Sequence, residues 1–178
     1  MKLLGKSFIK IAKGRYSSRI YYKKPIKREI LEEILEAGRL APSARNSQPW
    51  YVFVVQQEEM KNKITGCYSK EWIKTAPVIL VVCGNHSKSW KRSDGKDHCD
   101  IDVSIFIDHL TLAATEYDLA TCWICKFDVK KCAEILNLPK HVEPIALLPI
   151  GYPRDFVDFD RHREQRLSTI DFTSWEYF

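Results

Sequence analysis

The stretch from Asp100 to Tyr117 constrains the fold most, because its apolar residues cover most sides of a predicted helix. These residues form two neighbouring stripes: Ile101, Ile105, Leu112 and Ala113 in one, and Phe106, Ile107 and Leu110 in the other. A surface helix of a globular protein needs only one apolar face. We therefore expect this helix to be central, packed against a sheet or against a second subunit.

The elements on both sides of this helix alternate between helical and extended patterns. Helices are predicted over Lys6–Ala12, Lys27–Leu40, Glu58–Ile64 and Val129–Leu136, and strands over Trp50–Gln56, Pro77–Gly84, Cys122–Phe127 and Glu143–Gly151. The polar stretch His86–Lys96 predicts an exposed, mobile loop. With 178 residues and neither a repeat nor a linker, the chain is expected to form one α+β domain over residues 1–178.

Motifs and charge exclude several classes of function. The sequence contains neither a GxGxxG dinucleotide fingerprint after a strand nor a GxxxxGKS/T phosphate loop. Its net charge of +5 comes from basic and acidic residues that are mixed along the chain, without a nucleic-acid reading motif. No apolar run approaches the about 20 residues of a membrane span, and the N-terminus lacks a signal-peptide pattern. We expect a cytoplasmic protein with no nucleic-acid or membrane partner.

The cysteines do not predict a metal site. The six are Cys67, Cys83, Cys99, Cys122, Cys125 and Cys132. In a chain without an export signal they indicate reduced thiols rather than a disulfide framework. Cys122 and Cys125 form the one CxxC pair, which lacks the second pair that a zinc site needs. We expect no metal, and we interpret this pair as buried, inert thiols.

Four polar segments are candidates for chemistry, and each also has a plainer interpretation. Residues 15–19 place two arginines around two serines, a donor set suited to phosphate or to a solvated loop. Residues 42–50 form a proline-bracketed loop that could bind a ligand or cap a helix. Residues 122–126 could present backbone N–H groups or form a core strand. Arg163 and Arg166 could close over a phosphate or belong to a solvated basic face.

Taken together, these segments resemble the FMN-dependent nitroreductase family in order and content. Residues 15–21, RYSSRIY, resemble its opening arginine–serine motif. Residues 34–50, ILEAGRLAPSARNSQPW, are the most specific match to its signature. Residues 112–128 and 145–153 follow in the expected order. The resemblance covers most of the chain.

The resemblance implies an α/β/α sandwich with a mixed, mainly antiparallel sheet. It also implies that the long central helix dimerises, that two FMN molecules lie at the interface of the homodimer, and that residues 154–178 form a C-terminal arm packed on the partner subunit. The aromatic residues at the end of the chain would pack in that arm.

The resemblance also assigns site residues. Arg15 and Ser17 would hold the phosphate and the ribityl chain, with Arg163 or Arg166 completing the phosphate contacts and Tyr16 standing where the family commonly has a basic residue. Arg19 would face the pyrimidine edge of the flavin, where a fixed cation stabilises the negative charge left by reduction. From the other subunit, the same flavin would contact Pro42, Ser43, Ala44 and Asn46. The ring would be lined by Trp123, Ile124, Cys125 and Lys126, where Cys125 replaces a usual glycine.

The implied activity is an NAD(P)H-dependent FMN oxidoreductase that passes hydride to nitroaromatics, quinones or similar flat, electron-poor acceptors. One alternative is an FMN-binding storage or sensing protein without turnover. Another is a specialised relative that dehalogenates or reduces an enoate. The sequence leaves the choice between NADH and NADPH open.

Overall fold

The computed structural model describes residues 7–177, so the predicted helix start at Lys6 and the last residue of the arm lie outside the described residues. The α-helices are α1 (Phe8–Gly14), α2 (Arg28–Arg39), α3 (Glu58–Thr65), α4 (Cys99–Glu116), α5 (Val129–Ile135) and α6 (His162–Gln165). The strands are β1 (Trp50–Val55), β2 (Val78–Asn85), β3 (Ala120–Thr121) and β4 (Val142–Gly151). Short 3-10 turns cover Ala44–Asn46, Glu71–Thr75 and Thr169–Asp171.

The four strands form one sheet in the order β1-β2-β4-β3, and every pairing between them is antiparallel. An isolated bridge between Ser17 and Thr121 adds a parallel pairing at the β3 edge. The central strands β2 and β4 are buried along most of their length, as expected of strands covered on both faces.

The two faces of the sheet pack into two separate cores. In β2, Val78, Leu80 and Val82 point into the core shared with α2 and α4. The alternate residues Ile79, Val81 and Cys83 point into the core that includes residues of α3 and α5. Since successive side chains of a strand face opposite sides, this alternation makes three layers, α/β/α. The α+β sandwich predicted from the sequence is confirmed.

Helix α4 occupies the centre of one layer, as its apolar distribution predicts. Val103, Ile107 and Leu110 are buried against the sheet and α2. The Phe106 ring stacks on Trp50 with centroids 5.0 Å apart. Ile101, by contrast, keeps 40% of its surface exposed, so part of α4 stays uncovered by its own chain.

The strand predicted over Cys122–Phe127 is wrong in its position. The regular strand in this region is Ala120–Thr121, followed by an isolated bridge between Ile124 and Leu147. The same register would pair Cys122 with Pro149. The Cys122 N–H donates to the Pro149 carbonyl at 3.3 Å, but proline has no N–H to return the second bond. The ladder is therefore interrupted there.

The loop His86–Lys96 is held by hydrogen bonds around Asp97. The Asp97 carboxylate accepts hydrogen bonds from Ser89 Oγ and from the Cys99 N–H, and it lies 3.0 Å from His86 Nδ1. The other ring nitrogen of His86 lies 3.1 Å from Glu143 Oε2 at the start of β4. The loop is exposed as predicted, but it is fastened to α4 and β4.

None of the helices within residues 7–177 has the length and hydropathy to cross a membrane.

Candidate functional site

Residues 15–19 run along the edge of β3, at the C-terminal end of α4. Ser17 bridges to Thr121, and the Ser18 N–H donates to the Thr121 carbonyl at 3.1 Å. A Cβ placed on Gly14 would lie 3.4 Å from the Thr115 methyl in the last turn of α4. Backbone pairing with the sheet edge therefore fixes the position of this segment, which carries two arginines and two serines.

Asp155 holds the segment from the other side. Its carboxylate oxygen Oδ1 accepts hydrogen bonds from Tyr16 Oη at 3.0 Å and from Ser18 Oγ at 2.6 Å. The Arg19 N–H donates to the other oxygen, Oδ2, at 3.4 Å. Burial, followed by the hydrogen bond and charge of Asp155, raises the pKa of Tyr16 to about 12. Tyr16 and Ser18 thus anchor the segment, while Ser17 and Arg19 stay exposed.

The charges of three arginines interact beside this segment. Arg161 in the tail donates from Nη2 to the Arg15 carbonyl at 2.9 Å and from Nη1 to the Asp158 carbonyl at 2.8 Å. Partial burial, and then the charges of Arg15 and Arg166, lower the pKa of Arg161 from its ordinary value. We call Arg15, Arg161 and Arg166 the arginine cluster. Such an excess of positive charge suits a phosphate, which guanidinium groups recognise through paired N–H donors.

Of the two tail arginines expected to complete a phosphate site, Arg166 is the one whose charge lowers the pKa of Arg161. Arg163 points toward Asp160, with 3.8 Å between Nη2 and Oδ1, and 83% of its side chain is exposed. Arg161 is the residue that the motif comparison missed. It lies in the same basic stretch of sequence, but only the contact with the Arg15 carbonyl distinguishes it.

Residues 122–126 continue from the β3 edge beside the same segment. Cys122 and Ile124 are buried, whereas Trp123, Cys125 and Lys126 are exposed. Burial raises the pKa of Cys122, although Arg19, Ser17 and Arg15 partly oppose that change. The Ile124 N–H donates to the Leu147 carbonyl at 3.0 Å, so it is used by the sheet.

These positions change two expectations for residues 122–126. Since the Ile124 N–H is already bonded, the amides of Cys125 and Lys126 are the candidates for hydrogen bonds to a ring. The exposed Cys125 also departs from the expectation that both thiols of the CxxC pair are buried.

The proline-bracketed loop has an unusual backbone. Arg45, Asn46 and Gln48 adopt left-handed φ values of 55°, 55° and 48°. Ser43 Oγ accepts the Gln48 N–H at 2.9 Å, and the Gln48 side chain donates to Asn46 Oδ1 at 3.1 Å. The Ala44 N–H donates to Asp102 Oδ1 in the first turn of α4 at 2.9 Å. Pro42 is exposed and Ser43 half-buried, so the loop presents polar groups outward.

The structure places the predicted residues in two groups at opposite ends of α4. The loop contacts Asp102, whereas Gly14, which directly precedes residues 15–19, lies beside Thr115. Thr115 is thirteen positions after Asp102 along the helix, about 20 Å at 1.5 Å per residue. One ring system is too short to make hydrogen bonds at both positions. One protomer therefore brings together Arg15, Ser17, Arg19 and residues 122–126, but not Ser43, Ala44 and Asn46.

Comparison with known proteins identifies the family. The family model described as the Nitroreductase family matches residues 12–67 and 63–152. A crystal structure of a nitroreductase family protein from Clostridium difficile 630 has a TM-score of 0.91 and 37% sequence identity, covering 97% of this chain and 100% of that one.

Two relatives of known sequence agree. A protein of Archaeoglobus fulgidus with the provisional name NADH dehydrogenase/NAD(P)H nitroreductase is 30% identical over 168 residues, 89% of this chain and 95% of that one. The NAD(P)H FMN reductase of Bacillus subtilis is 32% identical over 164 residues, 83% of this chain and 66% of that protein. Since the family model spans most of the chain, this protein belongs to the nitroreductase family.

Proposed function

We propose that this protein is an FMN-dependent oxidoreductase that takes hydride from NADH or NADPH and reduces flat, electron-poor acceptors such as nitroaromatics and quinones. The arginine cluster beside Ser17 is the observation that carries this proposal. The names of the relatives from Bacillus subtilis and Archaeoglobus fulgidus, an FMN reductase and an NAD(P)H nitroreductase, support the same activity.

The arginine cluster fits the phosphate of FMN. Arg161 is half-buried and already repelled by two neighbouring guanidinium groups, so a dianion between them would relieve that repulsion. Ser17 is exposed beside them and offers a hydroxyl donor. We assign Arg15, Ser17, Arg161 and Arg166 to the phosphate and ribityl chain. Arg163 is left outside, because its guanidinium faces Asp160.

The residues around the β3 edge would orient the flavin ring. FMN, when bound, supplies the hydride transfer between the nicotinamide and the acceptor. Arg19 is exposed next to this edge, and its fixed positive charge would stabilise the anionic edge of a reduced ring. The amides of Cys125 and Lys126 would donate hydrogen bonds to the ring, and Trp123 would flank it. The chain positions the reactants and shapes the electrostatic field, without a side-chain acid.

We propose that the active unit is a homodimer. Because the loop Ser43–Gln48 lies about 20 Å along α4 from residues 15–19, both can contact one flavin only if a second copy supplies the loop. The uncovered face of α4 around Ile101 suits such a pairing. The arm, residues 154–178, would pack on the partner, since Phe156, Trp175 and Tyr177 keep 99%, 90% and 84% of their surface exposed.

Residues 1–178 would then form one domain in each subunit. We place the protein in the cytoplasm, where NAD(P)H is available and the reducing conditions suit six free thiols.

Steady-state turnover of the FMN-loaded protein tests the proposed activity. Oxidation of NADH and NADPH would be followed with a quinone and with a nitroaromatic as acceptors, each against a blank without acceptor. We expect at least one nucleotide to be consumed in an acceptor-dependent manner. If FMN binds tightly but neither nucleotide is consumed with any acceptor, the protein is a storage or sensing protein and the proposal is wrong.

A further inference from the structure

The loop Ser43–Gln48 needs support from outside itself. Three of its residues, Arg45, Asn46 and Gln48, have left-handed φ values, which are strained for residues with a Cβ. The internal hydrogen bonds, Asn46 N–H to Ser43 O and Ser47 N–H to Ala44 O, close the turn upon itself. They do not fix where the turn sits relative to the rest of the fold. The Ala44 N–H, which donates to Asp102, does.

Asp102 is an unusual residue to find in this place. Its side chain belongs to the first turn of α4 and the residue is only 2% exposed. A buried carboxylate is costly unless it is hydrogen-bonded, and the positive end of the helix dipole offsets only part of that cost. Oδ1 accepts the Ala44 N–H at 2.9 Å, whereas Oδ2 has no partner among residues 7–177.

Two other buried polar atoms without a partner in residues 7–177 belong to residues next to the same junction. Ser47 Oγ is on the loop, and the Ser47 N–H donates to the carbonyl of Ala44. His98 Nε2 is one helical turn before Asp102, and the His98 carbonyl accepts the Asp102 N–H. A hydroxyl and an imidazole can each hydrogen-bond a carboxylate through one bridging water. Buried polar atoms without a protein partner in the described part of the chain therefore occur on residues of both the loop and the start of α4.

We propose that Asp102 is a positioning residue, which holds the loop Ser43–Gln48 in the conformation that contacts the flavin of the partner subunit. The inference rests on the proposed function, because it assigns a role at the same site. Asp102 does not touch the flavin. It acts through the Ala44 N–H, and a neutral side chain with an oxygen in the same place would do the same work.

The test is a double-mutant cycle on both partners of this hydrogen bond. Asp102→Ala removes the acceptor. Ala44→Pro removes the donor at the first position of the 3-10 turn, where proline is tolerated after the extended Ser43. The conservative variant Asp102→Asn keeps an oxygen acceptor. Glu134→Ala, an exposed carboxylate on α5 on the opposite face of the sheet, is the matched control.

The readouts are the FMN dissociation constant, from flavin release on serial dilution of the FMN-loaded protein, and the visible circular dichroism of the bound flavin. We expect Asp102→Ala and Ala44→Pro each to raise the dissociation constant about tenfold or more, as for loss of a hydrogen bond to a charged group. The double variant should add little to either change. Asp102→Asn should stay within about threefold of the unaltered protein, and Glu134→Ala should bind FMN as the unaltered protein does.

Additive losses in the double variant, or unchanged affinity in Asp102→Ala, would overturn the inference. A loss in Asp102→Ala that Asp102→Asn fails to rescue would also count against it, since the oxygen acceptor would then not be what matters. The proposed function fails by a different result, namely that the unaltered protein does not retain FMN.

Discussion

Arg161 connects the C-terminal tail to the segment that carries the proposed phosphate ligands. Its guanidinium donates to the Arg15 carbonyl and lies close enough to Arg15 and Arg166 for their charges to lower its pKa. This repulsion is tolerated in the protein because other contacts of the tail hold Arg161 there, such as its bond to the Asp158 carbonyl. A phosphate would convert the repulsion into shared attraction.

Replacing Arg161 therefore tests the phosphate site at the level of one side chain. We expect Arg161→Ala to weaken FMN binding by about 10- to 100-fold, the range for a hydrogen bond to a charged group. Arg163→Ala is the matched control from the same tail, because Arg163 is exposed and turned toward Asp160. Fluorescence titration of flavin release measures both. Equal effects of the two variants would mean that the tail arginines act only through general charge.

At the scale of elements, α2 and α4 approach each other closely at Gly38. A Cβ placed there would lie 2.7 Å from Leu110 Cδ2 and 2.7 Å from Phe106 Cε2, both atoms of buried side chains. Gly38→Ala would gain helix propensity, but overpacking outweighs that gain. We expect the free energy of unfolding to fall by about 1–3 kcal/mol.

Urea unfolding at fixed protein and FMN concentration measures this change. Glu33→Ala, on the exposed face of the same helix, should change the stability by less than about 0.5 kcal/mol. If Gly38→Ala were as stable as the unaltered protein, the close packing of the two helices would be contradicted.

The junction of β2, β4 and the loop before α4 depends on pH through His86. Burial alone lowers the pKa of His86, but the hydrogen bonds and charges of Asp97 and Glu143 outweigh it and raise the pKa above its ordinary value. Burial alone would likewise raise the pKa of Asp97, yet the hydrogen bonds from Ser89 and His86 hold it far below its usual range. The His86 imidazolium therefore stabilises the folded state at pH values at which the carboxylates of Asp97 and Glu143 are ionised.

The sign of the pH dependence follows from these shifts. A group with a raised folded pKa contributes fully below its ordinary pKa, about 6.5 for histidine, and loses that contribution as the pH rises through the folded value. His86→Gln should lower the melting temperature more at about pH 6 than at about pH 9. The exposed His141→Gln is the control. An equal difference at both pH values would exclude a charged His86.

In the whole molecule, the exposed apolar side chains of the arm support the proposed homodimer. Leu167, Ile170 and Phe172 are exposed by 70%, 82% and 65%, in addition to the more exposed aromatic residues at the end. A monomer seldom leaves so many apolar side chains in water along one segment. A second subunit would cover them.

Deleting residues 168–178 tests this function of the arm and retains Arg161 and Arg166. We expect the truncation to raise the dissociation constant of the dimer about tenfold or more, because apolar burial drives association. Sedimentation velocity over a concentration series measures the dissociation, with FMN held in excess. An unchanged dimer would show that the arm packs elsewhere.

Much of the architecture could be predicted from the sequence because it depends on local patterns. The helical spacing of Ile30, Leu31 and Ile34 predicts α2, and the apolar run after Pro77 predicts β2. The position of β3 could not be predicted, because the ladder is interrupted at Pro149, a residue of another strand that has no N–H. Arg161 and Asp102 were missed for the same reason, since their partners, Arg15 and Ala44, lie 146 and 58 residues away.

The proposed activity requires that the chain binds FMN and that a nicotinamide nucleotide reduces the bound flavin. The most direct test is the visible absorbance spectrum of the FMN-loaded protein, followed under anaerobic conditions during addition of NADH, then NADPH, and finally a quinone. We expect the oxidised flavin to bleach with at least one nucleotide and the quinone to restore its colour. A bound flavin that keeps its oxidised spectrum with both nucleotides would contradict it.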